Sequence, residues 1–362
     1  MKITEIRTRA VQWEGKTVPL PPHFCTNPMD LIAWQQPSMG NFAFHSWLLV
    51  EIFTDAGLVG LGNAALAPHV TKQVVDLYLK PVLLGQDPWD IELLWQHMYR
   101  STMAFGRKGI GMTAISAVDI ALWDLLGKAA KQPVYRLLGG RTKQRIPVYA
   151  SRLYAMPLEE LASEAKRYKD EGYRAMKFRF GWGPVDGAAG MQRNVELIRT
   201  VREAVGYDVD VMADAYMGWT LDYARRMLPL LEPYNLRWLE EPVIPDDTAG
   251  YAQLKAYGRV PIAGGEHEYT LFGFRDLLDS PDRANREYLG APRAPVAMDS
   301  PERQAERGSK SSTGMPFGSS TKAIARPPPG ALLTSLTILT PAARSFSIKP
   351  RRSPSTSIAR CS

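Results

Sequence analysis

The sequence predicts an α/β protein in which a strand-then-helix region precedes a parallel sheet built from βα units. Over about the first 140 residues, apolar positions follow strand periodicity and then helix periodicity, which is the order of an α+β domain. From residue 146 the two periodicities alternate, which is typical of a parallel sheet. This alternation fits either a closed barrel or a doubly wound open sheet, and periodicity does not separate the two.

The N-terminal region opens with two strand-like stretches. They are MKITEIRTRAVQW at residues 1–13 and SWLLVEIFTDAGLVGLGNA at residues 46–64, the second with a turn at residues 55–57. Helical periodicity follows from about residue 69 to residue 138. It is clearest in TAISAVDIALWDLLGKAAKQPVYRLLGG, where we expect the helix to stop only at Gly139 and Gly140.

The second region predicts five strands with helices between them. The strand candidates are residues 146–151, 175–180, 208–214, 236–241 and 260–265. Helical patterns occupy residues 158–172, 194–206 and 221–235. We therefore divide the chain into an α+β domain at residues 1–140, a βα region at residues 141–284 and a basic Ser/Pro-rich segment at residues 285–362.

The βα alternation ends abruptly after about residue 284. From residue 307 to residue 362 the sequence contains no Asp, Glu, Tyr, Trp or His, and Ser and Pro dominate. This composition predicts a disordered tail, whereas the abruptness is typical of a frameshift that has replaced real βα units. The sequence leaves both interpretations open, and under the second the C-terminal units of the sheet are lost or scrambled.

Charge and composition restrict the partners that we expect. Residues 285–362 carry 12 basic and 4 acidic residues, against 32 basic and 33 acidic in residues 1–284. A neutral body disfavours phosphate binding, so we expect no nucleic-acid partner and disfavour a basic-tailed binding protein. No apolar run approaches the roughly 18 to 20 residues that span a bilayer, and Cys25 and Cys361 provide no disulfide framework. We therefore expect a cytoplasmic protein without a membrane partner.

Three carboxylates stand at the ends of consecutive strand candidates. Asp214, Glu240 and Glu266 are separated by 26 residues each, about the length of one βα unit. Because the carboxyl ends of parallel strands meet at one edge, these anions would converge and repel one another unless a cation lies between them. Oxygen ligands favour Mg²⁺. The neighbouring Glu241 would face away from Glu240 by strand periodicity, and we expect it to have a supporting or structural role.

The stretch RAMKFRF, residues 174–180, places two cations on one face of a strand. Lys177 and Arg179 are two residues apart and would point the same way, whereas Met176, Phe178 and Phe180 would point into an apolar layer. The sequence therefore predicts a cationic wall beside the carboxylate edge.

These motifs together resemble the enolase superfamily, in its mandelate racemase/muconate-lactonizing enzyme group. The motifs K-x-R, D, E-E-P and G-G-E occur in this order on four consecutive predicted strands, after the helix pattern AISAVDIALWDLLGKAAKQPVYRLLGG. The resemblance covers about residues 1–280. Within the group, GWGPVDGAAG at residues 181–190 and GEHE at residues 265–268 are most similar to acid-sugar dehydratases of the rhamnonate type.

The resemblance implies a modified (β/α) TIM-type barrel with an N-terminal α+β capping domain. It implies that Asp214, Glu240 and Glu266 bind Mg²⁺, and that a base removes the proton α to the carboxylate of a sugar acid. Mg²⁺ would stabilise the enediolate, and loss of the β-hydroxyl would give a 2-keto-3-deoxy acid. A complete barrel of this kind would be expected to form a homo-oligomer.

The resemblance also assigns catalytic positions, and here the sequence departs from the family. A Lys-x-Lys pair is common on this strand, and its second lysine often serves as the base. Arg179 replaces that lysine, and a guanidinium with a pKa above about 12 does not readily accept a proton. We expect Arg179 to bind the substrate carboxylate or the enediolate, and Lys177 to share that role or act as the base.

A late-strand His–Asp dyad is the other base expected in this family, and the sequence contains none. Its histidines are His23, His45, His69, His97 and His267, and none follows residue 267. Three hypotheses therefore stay open: an acid-sugar dehydratase, a truncated or frameshifted chain that binds metal without turnover, and a racemase or epimerase of the same superfamily.

Five residues are candidates for substrate contact. They are His23 and His45 in loops of the cap, Trp182, Tyr216 and His267. Trp182 lies in the Gly-rich residues 181–190, which lack the G-x-G-x-x-G spacing of a dinucleotide site and which we expect to form a mobile active-site loop. His267 is adjacent to Glu266 and is expected to point off the ligand face.

Overall fold

A computed structural model describes residues 1–12, 23–28, 46–65 and 67–279. Two strand-containing parts follow one another along the described chain, a cap and a βα sheet. His45 and the segment 285–362 lie outside the described residues, so the two interpretations of that segment stay predictions.

In the described part of the chain, the cap begins with an antiparallel sheet of three strands in the order β1-β2-β3. These strands are β1 (Ile3–Gln12), β2 (Ser46–Thr54) and β3 (Val59–Ala64). The turn between β2 and β3 lies at residues 55–57, as the sequence predicts, and Gly57 has a φ of 73° that suits glycine. Alternate residues of β2 are buried, so one face of the sheet packs on the helices of the cap.

Among the described residues, five helices complete the cap, with a π-helical turn at Val75–Leu79. They are α1 (Pro68–Val74), α2 (Lys80–Leu83), α3 (Ile91–Thr102), α4 (Ile110–Ala130) and α5 (Val134–Leu137). The expectation of one helix running up to Gly139 is wrong, because α4 ends at Ala130 and the next residue, Lys131, has a left-handed φ of 53°. Pro133 then lacks the backbone N–H needed to continue the helix.

Helix α4 packs on β3 at unusually short range because β3 contributes glycines to the contact. A Cβ on Gly60 would lie 2.1 Å from the carbonyl oxygen of Ala121, and one on Gly62 would lie 2.0 Å from that of Ala117. The sheet backbone therefore rests directly on the helix backbone.

The apolar composition of α4 corrects one expectation from the sequence. By length and composition this helix could cross a membrane, although no apolar run of that kind was expected. In the structure 61% of its most apolar window is buried inside the protein, as in a core helix that is covered on several sides.

The second part is a parallel sheet in the order β4-β5-β6-β7-β8. Its strands are β4 (Ala150–Ser151), β5 (Ala175–Arg179), β6 (Asp210–Asp214), β7 (Leu239–Glu240) and β8 (Ile262–Ala263). Its helices are α6 (Leu158–Asp170), α7 (Gly187–Val205), α8 (Leu221–Leu231), α9 (Thr248–Tyr257) and α10 (Thr270–Asp279). All five predicted strands are present, but β4, β7 and β8 are much shorter than predicted.

The Gly-rich residues 181–190 are more regular than the loop expected from the sequence. A 3₁₀ turn covers Pro184–Asp186, and α7 begins at Gly187. The side chain of Asp186 accepts a hydrogen bond from the N–H of Gly183 at 2.9 Å, which closes this turn. The expectation of a loop is therefore wrong for residues 184–190.

The apolar face of β5 anchors the core of the second part. Met176, Phe178 and Phe180 are fully buried in one apolar cluster with residues of α6, α7 and α8. The ring of Phe180 lies 4.8 Å from that of Trp219, and the rings of Phe178 and Phe180 meet edge to face at 5.0 Å. The two-residue alternation expected for RAMKFRF is confirmed, and it directs Lys177 and Arg179 to the opposite side.

We predict that Gly62→Ala destabilises the protein, because the new methyl group would overlap the carbonyl oxygen of Ala117. Overpacking of this kind costs about 1 to 3 kcal/mol in the free energy of unfolding, measurable by urea denaturation. Leu61→Ala is the matched control, since Leu61 is the intervening residue and is 49% exposed. Equal stability of the two variants would contradict the close contact.

Candidate metal centre and active site

Polar residues form a row across the carboxyl ends of four neighbouring strands. Arg179 pairs in register with Asp214, and Asp214 pairs with Glu240. Glu240 pairs with Ala263, and Glu266 follows Ala263 by three residues. Residues that pair in a parallel sheet share a face, so the backbone brings these side chains to one edge.

Lys177 lies between the first two carboxylates of the row. Its Nζ is 2.9 Å from Oδ2 of Asp214 and 2.5 Å from Oε1 of Glu240, and the residue is 3% exposed. Burial lowers the pKa of Lys177, but the charges of Asp214 and Glu240 outweigh it and raise the pKa overall. In this arrangement Lys177 is a protonated counterion of both carboxylates.

Arg179 has spare hydrogen-bonding capacity in the site. Its Nε lies 3.7 Å from Oδ2 of Asp214, and its guanidinium carbon lies 5.0 Å from the ring centre of Tyr154. Its Nη1 is buried and has no hydrogen-bond partner in the described structure. An unpaired buried guanidinium N–H is costly, so this nitrogen is suited to an anionic ligand oxygen.

Glu266 belongs to a second group, with Glu241 and His267. One possible ligand atom of each of these three residues lies within 4.8 Å of the others. Nδ1 of His267 is 2.8 Å from Oε2 of Glu241, while Oε1 of Glu241 is buried without a partner in the described structure. His267 therefore faces the carboxylates rather than away from them.

The position of Glu241 differs from the alternation expected for a strand. Its φ of 40° is left-handed, and β7 ends at Glu240 just before it. This change of backbone direction ends the period of two, so consecutive glutamates can both reach the site.

The site carries an excess of negative charge among the described residues. Four carboxylates, those of Asp214, Glu240, Glu241 and Glu266, face the two cationic side chains Lys177 and Arg179. A hard divalent cation would balance the two negative charges that remain when all four carboxylates are ionised and His267 is neutral, and carboxylate oxygens are the ligands that such ions prefer. The unpaired Oε1 of the buried Glu241 fits this requirement, so the donor set suits a metal of this kind.

Crowding of these carboxylates changes their acidity. Loss of surrounding water, then the charge of Asp214, raises the pKa of Glu240. Loss of water and the charge of Glu241 raise the pKa of Glu266 to about 7, although its side chain also opens to solvent at the rim, which screens part of this effect. Burial lowers the pKa of His267, but the hydrogen bond and charge of Glu241 raise it overall.

Two pairs of the predicted substrate-contact residues lie together. The rings of His23 and Trp182 stack at 5.5 Å, and the rings of Tyr216 and His267 meet at 5.5 Å. Trp182 Nε1 is buried and has no hydrogen-bond partner in the part of the chain described. The first pair joins the cap segment to the sheet, and the second places Tyr216 beside the imidazole that contacts Glu241.

Several residues of the site were not expected from the sequence. Tyr154 lies under Arg179, and the charges of Lys177, Glu240 and Asp214 act on the phenol of Tyr149. Both tyrosines flank β4, the strand that precedes the cationic one, and that position was the available signal. Asn194 is fully buried and bonds the backbone of Trp182, a contact that no sequence spacing indicates.

Two family models match the chain. Residues 26–139 match the N-terminal domain of mandelate racemase/muconate lactonizing enzymes, and residues 160–282 match the enolase C-terminal domain-like family. An L-rhamnonate dehydratase of Saccharopolyspora erythraea is 37% identical over 236 residues, which is 64% of this chain and 57% of that protein. A putative L-rhamnonate dehydratase of Caldivirga maquilingensis is 38% identical over 233 residues, 64% of this chain and 56% of that protein.

Solved structures of similar proteins share the fold. The L-rhamnonate dehydratase of Gibberella zeae has a TM-score of 0.66 and 35% identity, with 78% of this chain and 68% of that chain covered. A racemase of Streptomyces coelicolor A3(2), solved with bound magnesium, has a TM-score of 0.65 and 33% identity, with 77% and 73% covered. The expected TIM-barrel-like α/β fold with an N-terminal capping domain is thereby confirmed.

The chain spans little more than half the length of the two dehydratases that it matches in sequence. Both halves of the family's domain pair are nevertheless matched in order, and the motifs on β5 to β8 stand at the edge where the strands end. The chain belongs to the enolase superfamily, in its mandelate racemase/muconate lactonizing enzyme group.

Proposed function

We propose that the protein is a Mg²⁺-dependent acid-sugar dehydratase. The observation that carries this proposal is the row of Asp214 and Glu240 beside Lys177 and Arg179, with Glu266 at the next strand end. The similarity to L-rhamnonate dehydratases supports a sugar-acid substrate. The reaction removes the proton α to the substrate carboxylate. The β-hydroxyl then takes up a proton and leaves as water, and the resulting enol tautomerises to a 2-keto-3-deoxy acid.

Asp214, Glu240 and Glu266 are the residues that would hold the metal, with Glu241 as a neighbouring donor. When bound, Mg²⁺ supplies positive charge to the substrate carboxylate and so favours loss of the α-proton. Glu241 also bonds His267, which orients that imidazole at the rim.

The chain's own cations act on the substrate anion. The unpaired Nη1 of Arg179 is placed to donate to a carboxylate oxygen, and it stays charged throughout. Lys177 is protonated while it pairs with Asp214 and Glu240, so it can act as a base only after it has released its own proton to solvent, which requires another cation to compensate these carboxylates. His267 is a second group of this site that can hold or release a proton.

Two other candidate functions can be distinguished from this one by experiment. Similarity to a racemase structure favours a racemase or epimerase as the second candidate, since it shares the first proton transfer. A chain that binds metal without turnover is the third, because no histidine follows residue 267 in the sequence to serve as the late-strand base. The three differ in product, and each gives a distinct result with one panel of sugar acids.

We predict that the full chain with Mg²⁺ releases a 2-keto-3-deoxy acid from at least one five- or six-carbon sugar acid, measured by assay of the keto product. Glu240→Gln removes one metal-facing charge and should lower the rate by at least about 100-fold. Asp210→Asn is the control, because Asp210 begins the same strand as Asp214 and its side chain is 51% exposed.

Each alternative predicts its own outcome in that panel. Inversion of the α-carbon without loss of water supports the racemase or epimerase. If no acid is altered while Mg²⁺ still stabilises the fold, the chain binds metal without turnover. Equal rates for Glu240→Gln and the unaltered chain would contradict the role given to Glu240.

We predict that saturating Mg²⁺ raises the melting temperature by about 5 °C, because a ligand that binds only the folded state stabilises it. Thermal unfolding with excess Mg²⁺ is compared with unfolding in a chelator. Glu240→Gln should abolish the shift and Asp210→Asn should keep it. A shift of equal size in both variants would place the binding elsewhere on the protein.

We predict that the metal-free protein loses stability as the pH rises from about 4.5 to about 7. The raised pKa of Glu266 favours its protonated form in the folded state. The stability that protonation of Glu266 contributes to the folded state is therefore fully present below its unfolded-state pKa of 4.5, and it is lost as the pH rises past about 7. Urea midpoints in a chelator at several pH values measure this loss. It should be smaller in Glu266→Gln and unchanged in Glu203→Gln, an exposed control on α7; equal slopes would exclude Glu266 as the cause.

A further inference from the structure

Thr26 connects the cap to the ends of two strands of the sheet. It is fully buried, although it belongs to the short described segment of residues 23–28. Its N–H donates to the carbonyl oxygen of Phe180 at 2.7 Å, and its hydroxyl donates to that of Ala215 at 2.6 Å. Phe180 directly follows Arg179, and Ala215 directly follows Asp214, so both acceptors lie one residue beyond the row of charged residues.

The sheet has space for this segment because two of its loops carry glycine there. A Cβ on Gly218 would lie 2.8 Å from Cβ of Thr26 and 2.9 Å from the backbone nitrogen of Asn27. A Cβ on Gly181 would lie 2.7 Å from the carbonyl oxygen of His23. Both ends of residues 23–28 therefore fit against backbone that any larger residue would displace.

A third contact holds the same segment from the side of β4. The N–H of Ala155 donates to the carbonyl oxygen of Phe24 at 3.2 Å, and the ring of Phe24 stacks on Tyr154 at 3.9 Å. Tyr154 is the ring over which Arg179 lies. The segment thus contacts the chain beyond β4, β5 and β6 at once.

These contacts fix what the segment presents to the site. His23 is stacked on Trp182 at one end, and Cys25 lies between His23 and the anchored Thr26, only partly exposed. We propose that Thr26 is the positioning residue that holds residues 23–28 as a fixed wall of the site and sets His23 opposite Trp182. The identity of the ligand behind this wall, a polyhydroxy carboxylate, rests on the proposed function.

The thiol of Cys25 reports whether the segment is docked. In a Cys361→Ser background, Cys25 is the only cysteine of the chain, so the rate of its reaction with a thiol reagent measures its exposure in the native protein. Thr26→Val removes the hydroxyl without changing the size of the side chain. Loss of one buried hydrogen bond should speed the reaction by about 3- to 10-fold through local opening. Thr26→Ser keeps the hydroxyl and should react at close to the original rate.

Gly218→Ala tests the same docking without altering Thr26. Its methyl group would meet Thr26 and Asn27, and the reaction of Cys25 should again be faster. Thr71→Val is the matched control, since Thr71 is fully buried and its hydroxyl donates to the carbonyl of Ala67 at 3.0 Å near the start of α1. Urea denaturation of every variant separates local opening from global loss of stability.

The proposal requires that Thr26→Val exposes Cys25 more than Thr71→Val does at matched global stability. Equal rates in these two variants, or failure of Thr26→Ser to restore the original rate, would overturn it. Neither measurement needs turnover, so failure of the proposed function leaves the result intact. If the chain is active, Thr26→Val should raise KM several-fold and change kcat less, because a wall contact is made alike in the ground and transition states.

Discussion

The central constraint of the site is that the backbone holds several carboxylates at one edge of the sheet although they repel one another. Parallel register fixes Asp214 beside Glu240, and the turn after β8 brings Glu266 near Glu241, despite the electrostatic repulsion between these side chains. The fold therefore spends stability gained elsewhere, chiefly from the apolar layer beneath β5, to keep like charges together. The cationic face of β5 reduces this cost, and the negative charge that remains suits the edge to a divalent ion.

The cap contacts the sheet directly beside this row of charged residues. Thr26 meets the chain just beyond β5 and β6, while Lys108, which follows α3, pairs with Glu268 at 3.1 Å just beyond β8. The Thr26 contacts and the Lys108–Glu268 ion pair lie near opposite ends of the row. The cap can therefore shape the space above the carboxylates without supplying any of the four carboxylates itself.

Sequence reasoning succeeded where one physical rule dominates. Burial of one face of β5 dictated the alternation of Met176, Phe178 and Phe180, and the length of a βα unit brought Asp214 and Glu240 into register. It failed where local geometry competes with periodicity. The left-handed backbone at Glu241 places it beside His267, and strands as short as β7 depend on their neighbours rather than on their own residues. The buried anchor at Thr26 needs a partner far along the chain, which spacing cannot reveal.

The ammonium of Lys177 has a consequence for ion selectivity. A cation that enters this edge competes with one that the chain already provides, 2.9 Å from Asp214 and 2.5 Å from Glu240. Binding is thus an exchange of counterions, and a monovalent ion offers these carboxylates no more charge than Lys177 does. An ion of higher charge density is favoured in this exchange, so Lys177 would disfavour sodium and potassium at this edge.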